Sequence, residues 1–314
     1  MRATTGKVSA ARNRAEAASE LARLLSPGTV LLPNESLARR TTLRVGGPAD
    51  VYVEPASEAD LALILRYCAQ AERPWFILGR GSNLLVKDGG FRGVVVCLAH
   101  QSFSRIEVTG QLLRCGAGAR LKQVALDAKR HSLAGLEFLD GIPGSVGGAL
   151  RMNAGAMGGA IFETVESVRL MTSDGQVQER SAADMGAQYR GCPALTNCVA
   201  LAAVLKARPG LRAEIEERMN ALNQKRWQSQ PAAASAGCMF KNPPSVPAGK
   251  LIDHLGLKGT RIGGASVSAE HGNFLVNDGT ATARDVLALI QFIQSRVLAE
   301  RGIQLETEVE IIGE

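Results

Sequence analysis

The chain has 314 residues, enough for two or three domains with cores of their own, and its 46% hydrophobic and 21% charged content is that of a globular protein. A net charge of +6 is spread along the sequence with no basic run of five, and aromatic residues make up only 4%, so neither an electrostatic track nor a stacking platform for nucleic acid is present. Nothing approaches the run of about eighteen apolar residues that a membrane-spanning helix requires.

Residues 1–25 are rich in Ala and Arg, and "AARNRAEAASELARLL" reads as a surface helix or a loose N-terminal extension without further features of a targeting segment. "VYVEP", from Val51, is a short strand. "SEADLALILRYCAQAER" (Ser57–Arg73) opens as a capping box, Ser57 with Asp60, and carries apolar residues at Leu61, Ile64, Leu65 and Cys68, the spacing of one helix face. "WFILG" (Trp75–Gly79) and "GVVVCL" (Gly93–Leu98) are two further strands. "LLRCGAG" reads as a strand, "ARLKQVALDAKRHS" as a helix, and Val165–Arg180 as a strand pair turning at "SDGQ". "LRAEIEERMNALNQKRW" (Leu211–Trp227) is a helix entered through the breaker "ARPG" and marks a boundary. A third block ends in "TARDVLALIQFIQSRVLAERG", capped by Thr282 and Asp285 and closed by Gly302, and "IQLETEVEII" is the final strand. Short strands mixed with helices in three blocks predict an α+β fold rather than one doubly wound sheet.

Two glycine-rich stretches carry the first functional signal. "LGRGSNLLV" (Leu78–Val86) follows a strand, and its Gly79, Arg80, Gly81, Ser82 and Asn83 can present successive N–H groups to a phosphate. It is not the Rossmann fingerprint, because Leu84 stands at the third glycine position and no helical pattern follows. "GIPGSVGGALRMNAGAMGG" (Gly141–Gly159) holds seven glycines in nineteen residues. A packed core does not demand so many positions without a side chain, whereas an extended ligand pressed against the backbone does. Ser145 is placed to cap a short helix there. Read singly, either loop is as consistent with an ordinary turn; together they suggest a long cofactor, a dinucleotide outside the Rossmann class.

The six cysteines include no CxxC pair, and of the four histidines only His100 stands near one, three residues after Cys97, so a zinc site has no supporting spacing. Reduced thiols of a cytosolic protein are expected. One of them, Cys238, stands in "SAGCMFKNP", and a free thiol is most often a small buried hydrophobe.

In order, "TTLRVGGPAD" (Thr41–Asp50), "LGRGSNLLV", "EFLDGIPGSVGGALRMNAGAMG", Tyr189–Arg190, "AGCMFKNP", "GLKGTRIGGASVSAEHGNFLVNDGTATARDV" and "LETEV" resemble the UDP-N-acetylenolpyruvoylglucosamine reductases, the flavoenzymes that make UDP-N-acetylmuramate for peptidoglycan. The likeness spans Leu31–Glu314. It implies a flavin domain of the vanillyl-alcohol-oxidase (PCMH) type in two α+β halves, plus a C-terminal α+β substrate domain. The implied boundaries are an N-terminal extension at 1–30, FAD subdomains at 31–98 and 99–208, a substrate domain at 209–302 and a C-terminal strand at 303–314 bearing a catalytic glutamate. Residues implied to hold FAD are Arg44, Gly79, Arg80, Gly81, Ser82, Asn83 and Leu84 in the first region, and Gly141, Ile142, Pro143, Gly144, Ser145, Gly147, Gly148 and Asn153 in the second. The superfamily often tethers its flavin to a histidine in the first loop; Ser82 and Asn83 stand there, so non-covalent FAD is expected.

The reaction implied has two halves: NADPH reduces the flavin, and flavin N5 then gives hydride to C3 of the enolpyruvyl substrate, with protonation at C2. Such chemistry needs a cation near the substrate carboxylate, a second polar group and a proton donor. The resemblance assigns these to Arg190, Glu308 and Cys238. By composition alone Arg190 is a surface arginine after a loop, and Glu308 is one of three acids, with Glu306 and Glu310, on the solvated face of the last strand. Cys238 stands where many members carry serine. A thiol, near pKa 8.5, is a far stronger acid than an aliphatic hydroxyl, but neighbouring cations such as Lys241 would favour the thiolate, which cannot donate.

Tyr189, Lys241, Asn242 and Arg261 are implied substrate contacts; the plainer alternatives are an aromatic at a core edge for Tyr189 and a capped turn before "NPP" for Lys241 and Asn242. His271 reads as a structural histidine at a strand start. Only "PSVPAG" separates Pro243 from Lys250, so the tyrosine-bearing insertion of the longer family form is missing, and Cys192 replaces a common serine. The expected partners are UDP-N-acetylenolpyruvoylglucosamine and NADPH, with no metal, nucleic acid or membrane, in a cytoplasmic monomer. Rivals are an oxidase of the same flavin superfamily and a catalytically silent flavin or sugar-nucleotide binder.

Overall fold

The computed structural model describes residues 15–156 and 158–314; residues 1–14 of the N-terminal helix expected above, and Met157 of the second glycine stretch, lie outside them. Two compact units divide the chain. The first comprises Met1–Glu35, Ala49–Gly79 and Gly93–Asn223, the second Ser36–Pro48, Arg80–Arg92 and Gln224–Glu314, so neither is a continuous stretch.

Two larger sheets dominate the first unit, beside two short two-stranded pairs. One has the strand order Val30–Pro33, Ala49–Glu54, Phe91–Cys97, Trp75–Leu78, with the last two parallel. The other runs Val177–Ser181, Val165–Thr172, Cys198–Lys206, Leu112–Gly116, Ile106–Thr109, and every neighbouring pair is antiparallel. The hairpin at "SDGQ" forms as its turn residues predict, with Gly175 at φ +81°. Helix Glu58–Gln70 begins where its capping residue says: Ser57 Oγ accepts the Asp60 N–H at 3.1 Å, and Leu61, Ile64, Leu65 and Cys68 are buried. It stops short of the predicted Arg73, because Glu72 takes a left-handed φ of +49° just before Pro74. Residues 15–24 form a surface helix, one of the two alternatives expected, with Ala17, Ala18 and Leu21 buried in this unit's core and the other positions exposed.

The second unit holds a four-stranded antiparallel sheet ordered Ala234–Cys238, Phe274–Asn277, Ala265–Val267, Arg261–Ile262, with helices Ala248–His254 and Ala283–Arg301. Thr282 and Asp285 close the capping box they predict, and Gly302 ends the helix in the left-handed conformation. Asp88 strengthens the same helix start, its two carboxylate oxygens accepting the N–H groups of Ala283 and Arg284 at 2.8 and 3.0 Å. Leu43, Val45 and Leu85 enter this core beside Phe240, Leu289 and Ile293.

The C-terminal stretch departs from the single strand expected. Thr307 pairs in isolation with Phe240, antiparallel, and only Glu310–Ile312 forms a strand, parallel to Leu84–Val86. The chain changes partners between the two, and Glu308 sits at the change. Among the described residues no helix is long and apolar enough to cross a membrane, and no group of three His, Cys, Asp or Glu is arranged to hold a metal.

Candidate active site

Each expected site residue has a local mount that its neighbours in sequence build. Tyr189 and Arg190 are the central residues of a two-residue turn: Gln188 N–H donates to Gly191 O at 2.8 Å and Gly191 N–H back to Gln188 O at 3.3 Å. Arg190 takes φ +56°, a left-handed value uncommon for residues other than Gly, Asn and Asp. Its guanidinium lies 5.5 Å from the Tyr189 ring centroid and donates to Gly155 O, while Tyr189 itself is 62% exposed rather than covering a core edge. Asn153 belongs to this cluster. It ends helix Val146–Met152 in the left-handed conformation, its Nδ2 donates to Gln188 O at 3.0 Å, and its Oδ1 accepts from Phe162 N–H.

Cys238 closes strand Ala234–Cys238 opposite Phe274. The register shifts between Ser235 and Cys238, and Gly237 at φ +76° forms the bulge that re-aims the next side chain. The thiol is half-buried, unlike those of Cys68 and Cys115, which burial pushes up to about 12. None of the six cysteines is in a disulfide, and Cys192, in the place of the common serine, is buried with its Sγ donating to Met185 O.

Immediately after Cys238 the backbone is locked on both sides. Met239 N–H donates to Asn273 O, and the Asn273 side chain both accepts from Phe240 N–H (2.9 Å) and donates to Phe240 O (2.8 Å). Met239 O in turn accepts the Glu308 N–H at 2.8 Å, and Glu308 O accepts from Asn83 Nδ2 at 3.1 Å. Cys238, Glu308 and Asn83 are thereby tied into one hydrogen-bonded framework within the second unit. Asn273 is the residue that sequence reasoning missed; it is 2% exposed, and its place in "HGNFLVN" marked only a strand start. His271 has the structural role expected: its Nδ1 accepts from Asn273 N–H, and burial, with Lys258 nearby, holds it below its ordinary pKa.

Other expected contacts have protein partners. Asn242 Oδ1 accepts the N–H of Ala248 at the start of helix Ala248–His254, the capped turn of the plainer alternative, and Lys241 pairs with Glu306 at 3.0 Å. Arg261 pairs with Asp278 and donates to Gly263 O across its hairpin. Arg44 is exposed on a left-handed turn (φ +60°) whose carbonyl, with that of Leu43, accepts from Asn277.

The glycines divide into two groups. A Cβ on Gly81 would stand 2.5 Å from Arg40 O, and one on Gly147 3.1 Å from Ala117 Cβ, so close packing demands both. The Gly159 position is likewise pressed on Phe138, which corrects the expectation that packing does not require the glycines of the second stretch. Gly141 and Gly158, by contrast, face open space. Ser145 caps its helix as expected, accepting from Gly148 N–H, and lies against the Gly79 position. For Arg80, Gly81 and Ser82, no N–H donates to a backbone carbonyl among the described residues. That row of available donors is what a diphosphate requires, so the first loop fits the FAD the sequence implies.

Residues 49–181 match the model of an FAD-binding domain, and 230–312 match that of the C-terminal domain of UDP-N-acetylenolpyruvoylglucosamine reductase. Fold and site together define an FAD-binding oxidoreductase of α+β architecture. The UDP-N-acetylenolpyruvoylglucosamine reductase of Heliobacterium modesticaldum is 44% identical over 90% of this chain and 91% of its own length, and that of Pelobacter propionicus 43% identical over 91% and 96%. The crystal structure of the corresponding reductase from Thermus caldophilus superposes with a TM-score of 0.80 at 38% identity, covering 91% of this chain and 99% of that one. The chain belongs to the UDP-N-acetylenolpyruvoylglucosamine reductase family.

Proposed function

We propose that this chain performs the family reaction, the NADPH-dependent reduction of UDP-N-acetylenolpyruvoylglucosamine to UDP-N-acetylmuramate in peptidoglycan precursor synthesis, with Arg190, Cys238 and Glu308 as its catalytic residues. Bound FAD supplies the two-electron relay, accepting hydride from NADPH and passing it to the substrate. Residues of the stretches Gly79–Leu84 and Gly141–Asn153, with Arg44, hold it without a covalent bond. Arg190 sets a fixed cation against the substrate carboxylate and the enolate that develops from it. Cys238 gives its proton to C2, and Glu308 settles the charge beside the intermediate. Tyr189, Lys241, Asn242 and Arg261 bind the sugar nucleotide; the last three do so by exchanging or sharing their present protein partners. The domain boundaries follow the family: an extension at 1–30, FAD subdomains at 31–98 and 99–208, a substrate domain at 209–302 and the closing segment 303–314. The protein acts as a cytoplasmic monomer without nucleic-acid or membrane partners.

The observation that supports the catalytic assignment is the backbone of the three residues. One occupies a left-handed position, one follows a glycine bulge, and one sits where the chain changes strand partners. Strained backbone and bulges of this kind cluster at functional sites. The experiment is a pair of anaerobic half-reactions. Cys238→Ala is expected to be reduced by NADPH at the normal rate and to pass electrons to substrate about 10²–10⁴-fold more slowly, the usual cost of losing a general acid. Cys238→Ser retains appreciable turnover, and the fall in rate at alkaline pH, which follows thiol ionisation, moves or disappears in it. An alanine variant with full turnover removes Cys238 from the mechanism; oxygen consumption with an alcohol, without NADPH oxidation, would favour the oxidase.

A further inference from the structure

Glu308 is held by its backbone on both sides, and the two holders belong to different parts of the chemistry. Its N–H donates to Met239 O at 2.8 Å, one residue beyond Cys238. Its carbonyl accepts from Asn83 Nδ2 at 3.1 Å, and two residues on, Glu310 N–H donates to Asn83 O, also at 3.1 Å. Asn83 thus grips the chain before and after Val309 with its side chain and its main chain. Beyond that point Glu310–Ile312 runs parallel to Leu84–Val86. The residue doing this closes the glycine loop Arg80–Asn83, which the sequence offers as a phosphate cradle.

We infer that Asn83 is a positioning residue for Glu308, aligning its carboxyl through a clasp on the peptide that carries it. The inference rests on the catalytic reading of Glu308. Thr307 pairs antiparallel with Phe240 and Glu310 parallel with Leu84, so the two ladders do not join; between them Met239 O takes the Glu308 N–H at 2.8 Å and the Val309 N–H at 3.5 Å, and the Glu308 carbonyl is left to Asn83. The Asn83 amide replaces the missing ladder bond at the one position where the orientation of a side chain matters. Without the Asn83 clasp, the peptide between Glu308 and Val309 can rotate by a few tens of degrees, loosening only the 3.5 Å Val309 contact, and displace the carboxyl. A displacement of about 1 Å in a catalytic group costs on the order of 10²-fold in rate. Asn83 is then the element through which the loop and the catalytic carboxylate keep register.

The test is a double-mutant cycle with Asn83→Ala, Glu308→Gln and the pair, measured as anaerobic half-reactions on FAD-loaded protein. Asn83→Ala is expected to slow electron transfer to substrate about 10–100-fold, a loss well beyond any change in flavin reduction by NADPH measured on the same FAD-loaded protein. In the Glu308→Gln background the same change is expected to add less than threefold, since the carboxylate it aligns is already gone. Asn83→Asp, equal in size but without the amide donor, should slow the same half-reaction and replaces the alanine variant where alanine impairs folding or FAD retention. In FAD-free protein, amide exchange should quicken across 306–310 and not across 234–240. Full additivity of the two changes, or a wild-type oxidative half-reaction in both Asn83 variants, overturns the inference while leaving the catalytic reading intact. A Glu308→Gln enzyme with normal turnover overturns that reading itself.

Discussion

Arg190 shows what a single residue reveals about its purpose. A left-handed φ costs an L-residue roughly 1–2 kcal/mol, and Arg190 accepts that cost in a turn whose other central residue, Tyr189, is exposed. Arg190→Gly should therefore leave stability within about 1 kcal/mol of the parent, relief of strain offsetting the extra chain entropy and the lost ring contact. Catalysis should fall by two orders of magnitude or more in the same variant. Denaturant titration and turnover measured side by side decide it; a protein several kcal/mol weaker with normal turnover would make the arginine merely structural. At this scale the sequence was legible where a residue's chemistry is rare and illegible where partners come from afar. Cys238 drew notice because its neighbours are small, whereas nothing near Asn273 in the sequence indicates that its amide will pair with Phe240. Asn242 and Arg261 show the converse: residue types suited to a nucleotide, whose partners in the structure are Ala248, Gly263 and Asp278.

Among the elements, helix Glu58–Gln70 depends on a buried carboxylate at its first turn. Burial alone would raise the Asp60 pKa, but hydrogen bonds from Ser26 N–H and Oγ, Ser57 Oγ and Thr29 outweigh it and hold the group below its ordinary value. A depressed folded pKa contributes stability that is complete above the unfolded value near 3.9 and is lost as pH falls through the folded one. Asp60→Asn should cost about 1–3 kcal/mol at pH 7 and leave less of an acid-induced loss between about pH 5 and 2, followed by urea titration at several pH values. An unchanged pH profile would remove Asp60 from the acid limb. Capped helices were legible because their start and stop signals are local. Strand Cys198–Lys206 was not: as the middle strand of its sheet it is apolar without alternation, and "CVALAAVL" lacks the period that marks a strand. The last stretch misled for the opposite reason. Its alternation is regular, and Leu305 and Val309 are buried as it predicts, yet the strand is interrupted because its two halves pair with different segments.

For the whole molecule, the second unit is assembled from three separated stretches, and this is invisible to any local pattern. Leu43, Val45 and Leu85 complete its core, Leu84–Val86 pairs its last strand, and Asp88 caps its longest helix. The segment matched as a family domain, 230–312, is therefore smaller than the unit that folds. A fragment spanning 224–314 should lack cooperative thermal unfolding on its own, and adding a peptide of 80–92 should not by itself restore it while 36–48 is absent. A sharp calorimetric transition in the bare fragment would refute this. Asn83 and Glu308 lie 225 residues apart, so a ribosome working at about 5–20 residues per second exposes the glycine loop roughly 10–45 s before its clasp partner exists. Through that interval the edge of Leu84–Val86 is an unfilled template open to chaperones or to a wrong strand. A nascent chain broken off before Glu310 carries both glycine stretches yet lacks the strand that pairs with Leu84–Val86, so competence to turn over substrate doubles as a check that synthesis ran past that point.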